Sequence, residues 1–188
     1  RSWGAGVTDT NGNLLYGTET MFLTPYKGKL YAGTSCWTET NATLQACQLL
    51  VLDSPDGAWR QLHKFTTANT RFNSLITVTF TTDASGNPVA QVTMLLAAPN
   101  RSVAGTVQVF SLNDATSNLV AMPLGAVTNG TQTRAMGFHR DSVTGVDMVF
   151  AGNDDLGVLT GAYNPSVTGR IQWQTNASEL PVPAGERV

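Results

Sequence analysis

The chain has 188 residues and a formal net charge of −2, and only 13% of its residues are charged, against roughly 25% in ordinary soluble domains. It is long enough for one domain with a real core, it lacks the basic stripe of a nucleic-acid surface, and it has no run of about 18 apolar residues that would cross a membrane as a helix. The opening Arg1-Ser2-Trp3-Gly4 carries no leader pattern and reads as a processed or excerpted start.

Helical periodicity is nearly absent. Short β-type runs rich in Val, Leu, Thr, Phe and Tyr recur, broken by Gly, Asn, Asp and Pro. Residues 1–20 read as a lead-in, with Gly12 and Gly17 beside at most a stray strand. A first four-strand unit, 21–65, runs from Met21–Tyr26 through Leu30–Gly33 and Gln48–Asp53 to Trp59–His63. Within it, Cys36 and Cys47 bracket SCWTETNATLQAC. In an oxidising compartment they would pair and stabilise the loop by roughly 3 kcal/mol; in a reducing one they would be two buried thiols. A second unit, 74–123, places strands at Leu75–Phe80, Val89–Ala97, Thr106–Phe110 and Leu119–Met122. A third, 134–174, places them at Arg134–Phe138, Val146–Phe150, Val158–Tyr163 and Arg170–Trp173. The tail, 175–188, reads as a connection into a further unit.

Three like units of four strands point to an all-β fold built of β-propeller blades. The competing architecture, a β-sandwich, also has many short strands but does not predict such repetition. Propellers typically close with four to eight blades, so the three here are expected to belong to a larger propeller or to be completed by a second chain.

Within a blade, the first-to-second and third-to-fourth turns share one side, and the second-to-third and blade-to-blade loops share the other. The second class is longer here, which is where sites are usually built. Four N-glycosylation sequons, at Asn41, Asn100, Asn129 and Asn176, fall on that side. Asn153, Asp154 and Asp155 lie there too, as candidate sugar ligands or, more weakly, Ca²⁺ ligands; turns favour the same residues for conformational reasons. Trp37 and Tyr26 are candidate stacking faces for a sugar. Arg134, His139 and Arg140 lie on the expected innermost strand of the third unit and the turn after it. His139 is the candidate general base, with arginine neutralising a substrate carboxylate; the structural alternative has Arg140 pairing within the sheet and Asp141 capping its turn. The two His and two Cys have no zinc-site spacing.

Lys29–Gly33, Leu50–Trp59 and His139–Asp147 resemble stretches of secreted fungal and bacterial β-propellers. Ser54-Pro55-Asp56-Gly57-Ala58-Trp59 is similar to a degenerate Asp-box turn, with its Trp one place early. That resemblance implies an extracellular, carbohydrate-recognising propeller, with rhamnose–glucuronate lyases among the polysaccharide-active members and a glycan as partner. The alternative class is a non-catalytic wall, fibre or adhesion glycoprotein assembled through its blade edges.

Overall fold

A computed structural model of the chain describes residues 6–36, 41, 44–100, 105–127, 132–154 and 156–174. They form three four-stranded antiparallel sheets, each in sequence order. The first holds β1 (Glu19–Tyr26), β2 (Lys29–Ser35), β3 (Gln48–Leu52) and β4 (Arg60–Lys64). The second holds β5 (Phe72–Thr82), β6 (Pro88–Pro99), β7 (Gly105–Asn113) and β8 (Asn118–Val127). The third holds β9 (Thr133–Arg140), β10 (Asp147–Asn153), β11 (Gly157–Tyr163) and β12 (Ile171–Trp173). The sheets are blades 1, 2 and 3 in chain order, four-stranded antiparallel units consistent with propeller blades. No helix among the described residues is long and apolar enough to cross a membrane.

The blades stack face to face, and β5 contacts both β1 and β9. Alternation along β5 sorts its side chains between the neighbours. Leu75 joins Tyr26, Tyr31, Leu49, Val51 and Phe65 of blade 1 in one core cluster. Val78 and Phe80 join Val149, Ala151, Leu159 and Tyr163 of blade 3 in another. A sheet covered on both faces has no solvent face, which is why β6 ends in the buried run Met94–Ala98.

Hydroxyls tie the inner strands together. Thr24 donates to the Leu75 carbonyl at 2.8 Å, and Thr77 donates to the Pro25 carbonyl at 2.8 Å. Phe72, fully buried, lies flat on Gly33 of β2, where an added Cβ would stand 2.5 Å from the ring. The small residues that close the second strand therefore make room for an aromatic ring from the next blade.

The lead-in is a small hairpin rather than a stray strand. It is closed by a Thr8–Leu14 bridge, and the Asp9 carboxylate accepts from the Asn11, Asn13 and Gln61 amides. Leu15 packs with Ala32, Leu50 and Trp59 on the outer half of blade 1's free face. The inner half stays open, with Met21 38% and Leu23 59% exposed.

Candidate functional site

The turns of all three blades meet on the short-turn side. A cleft of about 370 Å³ opens there. Its polar lining is Ser111, Asn113, Asp114 and Arg170, set among Leu112, Ala115 and Val120. The β7–β8 turn is shaped by Asn113, whose Oδ1 accepts from the Ala115 and Thr116 amides at 3.0 and 3.3 Å. The β11–β12 turn begins with Asn164 Oδ1 accepting from the Ser166 amide at 2.9 Å and ends with Gly169 and Arg170, both left-handed at φ 73° and 62°. Gly169 is pressed on blade 2: a Cβ there would stand 2.4 Å from Met122 Cγ.

Three described residues other than glycine have positive φ: Lys27, Ser117 and Arg170. Each belongs to a turn of a different blade. Lys27 reaches Asp114 and Arg170 lines the cleft, while Ser117 closes the Asn113 turn. Left-handed side-chain-bearing residues cost of order 1 kcal/mol each and cluster where geometry is held for a purpose.

Asp114 is fixed from blade 1, accepting from Tyr26 Oη at 2.8 Å and Lys27 Nζ at 2.6 Å. Burial, then the hydrogen bond to Asp114 and its charge, push the Tyr26 phenol well up, so it remains a donor. Three other groups keep capacity for a ligand. Ser111 is 3% exposed, and its hydroxyl makes no hydrogen bond among the described residues. The amide nitrogen of Asn113 and the guanidinium of Arg170 likewise have no hydrogen-bond or ion-pair partner there. The cleft thus offers a hydroxyl, an amide and an uncommitted cation beside a fixed carboxylate, and it holds no nucleophile–base pair.

Other anticipated residues have different surroundings. Tyr26 is buried, its ring edge-on to Tyr31 at 5.9 Å. It therefore presents no stacking face and serves the cleft through its hydroxyl. Arg134 and His139 are five places apart on β9, roughly 16 Å at strand rise, and emerge on opposite faces. His139 stands exposed opposite Met148. Arg140 turns toward blade 2, donating to Thr81 Oγ1 at 2.8 Å beside Asp147 at 3.4 Å. Arg134 pairs with Asp154 at 2.6 Å, both largely buried, on the long-loop side. Asn153 is fully buried, accepting from Thr133 Oγ1 and donating to the Ala151 carbonyl. Asn153 thus faces inward and Asp154 is engaged by Arg134. Trp37, Asp155, Asn129 and Asn176 lie outside the described residues.

Asn41 is exposed. Asn100 is 6% exposed and hydrogen-bonded at both ends, to the Arg71 amide and Thr70 Oγ1. A glycan on Asn100 would have to displace that donor and open the junction. Cys36 and Cys47 are both buried thiols in the structure.

No family model matches the chain, and no curated protein matches it. Among solved structures it is similar to the crystal structure of an exo-β-1,3-galactanase from Phanerochaete chrysosporium bound to β-1,3-galactotriose, at 13% identity and a TM-score of 0.41. The likeness covers 93% of this chain and 42% of that one. The blade assignment rests on the three sheets themselves, and the chain spans less than half the length of that enzyme chain.

Proposed function

We propose that the chain is part of an extracellular carbohydrate-recognising propeller that holds an acidic glycan in the short-turn cleft. The observation that carries this reading is the guanidinium of Arg170, which has no ion-pair partner among the described residues and lines the same cleft as Ser111 and Asn113. A guanidinium takes a carboxylate in a bidentate fork, and the serine and Asn113 amide are placed for sugar hydroxyls.

Binding is favoured over hydrolysis because glycosidases ordinarily flank the scissile bond with a pair of carboxyls, whereas Asp114 is the single carboxylate among the described residues lining the cleft and is already engaged by Tyr26 and Lys27.

Arg170→Gly tests the site without endangering the fold, because glycine suits φ 62°. Calorimetric titration with glucuronate-containing oligosaccharides is expected to show affinity weakened roughly 10- to 100-fold, the value of a charge-assisted contact. The melting temperature should rise by about 2–4 °C as roughly 1 kcal/mol of strain is relieved. Unchanged affinity in the variant, or equal wild-type affinity for a neutral oligosaccharide, would overturn the acidic-glycan reading.

A second reading, assembly, is favoured by Met21 and Leu23 on blade 1's free face. β5 packs on β1 and β9 from opposite faces, and among the described residues the inner half of blade 1's other face stays exposed. Met148 and Phe150 are half-buried on a face of blade 3. A second copy offers each open face its complement. Sedimentation equilibrium is expected to show a dimer that Leu23→Lys dissociates; a wild-type monomer at high concentration would count against it.

A further inference from the structure

Cys36 and Cys47 stand where β2 and β3 part. The ladder between those strands runs to Gly33 opposite Leu49, followed by a Gln48 amide bond to Thr34 Oγ1 at 2.9 Å. Beyond that the strands diverge, and the segment joining blade 1 to blade 2 inserts between them. The Cys36 amide donates to the Thr70 carbonyl at 2.7 Å, the Cys47 amide donates to the Asn69 carbonyl at 2.8 Å, and Ser35 bridges Arg71. Both prongs of the fork therefore grip the linker through neighbouring carbonyls.

The Cys36 thiol reaches back across this fork and donates to the Ala46 carbonyl at 3.5 Å. That oxygen belongs to the peptide group whose nitrogen is Cys47's own, so the sulfur of one cysteine lies a side-chain length from the backbone of the other. Both residues are buried, at 2% and 0% exposure. Cys47 sits in the apolar cluster of Leu49, Phe65 and Phe72. Burial, then the neighbouring Cys36, push its thiol well up, so it carries little thiolate character for other chemistry.

We propose that Cys36 and Cys47 form a disulfide that shuts the β2–β3 fork over the blade-to-blade linker. Two S–H bonds break and one S–S bond forms. Two protons and two electrons pass to a low-molecular-weight disulfide, which is reduced to two thiols. The S–S bond takes the place of the weak Cys36 S–H bond to the Ala46 carbonyl and of the Cys47 S–H in its apolar cluster. It also fixes the two amides that hold Asn69 and Thr70, and so the junction that Asn100 completes through Thr70 and Arg71.

The test uses the full chain, equilibrated with oxidised and reduced glutathione, acid-quenched, alkylated in denaturant and mapped as peptides. The expected product is one cross-linked pair, Cys36 to Cys47, two hydrogen masses lighter than the dithiol. Amide exchange at Cys36 and Cys47 should be at least tenfold slower in the oxidised form. The Cys36→Ala/Cys47→Ala variant should unfold at the same temperature with and without reductant, whereas the wild type loses stability on reduction. Two alkylated cysteines under excess oxidised glutathione, or glutathione attached separately to each, would overturn the proposal.

Discussion

Phe72→Ala is expected to cost about 4 kcal/mol, lowering the midpoint of thermal unfolding by roughly 8–16 °C. Phe72 is fully buried at the start of β5, on the junction between blades 1 and 2. Its ring meets Phe65 edge-on at 5.4 Å and covers Gly33. Truncation leaves a cavity between two sheets that cannot collapse independently, because Thr24 and Thr77 fix the spacing of β1 and β5 through backbone carbonyls. The complementary change, Gly33→Ala, forces a methyl to 2.5 Å from the ring and is expected to cost roughly 1–3 kcal/mol by overpacking. The two changes share one space, so the double variant should be less destabilised than the sum of the singles. Circular dichroism melts of the four proteins would measure this. Strict additivity, or a loss under about 1 kcal/mol for Phe72→Ala, would remove the ring from its role as the inter-blade keystone.

The twelve strands were legible because a blade leaves a local mark. β10 and β11 alternate buried and half-buried positions along their whole length, and Gly or Asn-Gly turns punctuate the runs. The limits were less legible. The sequence pattern places β5 at Leu75–Phe80, whereas the strand spans Phe72–Thr82. Its ends are held by other blades, with Phe72 on Gly33 and Thr82 bonded to the Asp147 amide, and those partners lie far away in sequence.

The cleft was not legible for the same reason. Lys27, Asp114 and Arg170 belong to three separate turns, each ordinary by itself. One signal was present: Arg170 directly follows Gly169 at a hairpin position that usually takes glycine or asparagine. The polar residues of the third unit's inner strand serve different partners at its two ends. Arg134 holds Asp154, while Arg140 holds Thr81. A charged residue among valines was also a signal. Asp147 follows Val146 and precedes Met148, and its partners are in blade 2.

Asp147→Ala is therefore expected to cost about 3 kcal/mol, the penalty for stranding buried donors that shared a charged acceptor. The Asp147 side chain is 4% exposed. Between Phe80 and Thr82 the β5–β6 register slips, which frees the Thr81 amide from the ladder. Asp147 Oδ2 accepts from that amide at 2.5 Å, from Thr81 Oγ1 at 2.7 Å and from the Thr82 amide at 3.2 Å. Asn is expected to cost less than Ala, because its carbonyl oxygen keeps an acceptor for the Thr81 amide. The carboxyl lies below its ordinary 3.8 in the fold: burial raises it, but the Thr81 and Thr82 hydrogen bonds and Arg140 outweigh that. Its contribution is thus fully present above about pH 4 and fades as pH falls below that through the folded value, where the native carboxylate must take up a proton. In wild type, unfolding followed from pH 7 to pH 2 should steepen in that acid window, whereas Asp147→Asn should show a shallower loss over the same window. Equal acid sensitivity in the two proteins would mean that the titration belongs to other carboxylates and that Asp147 does not lock blade 3 to blade 2 through its charge.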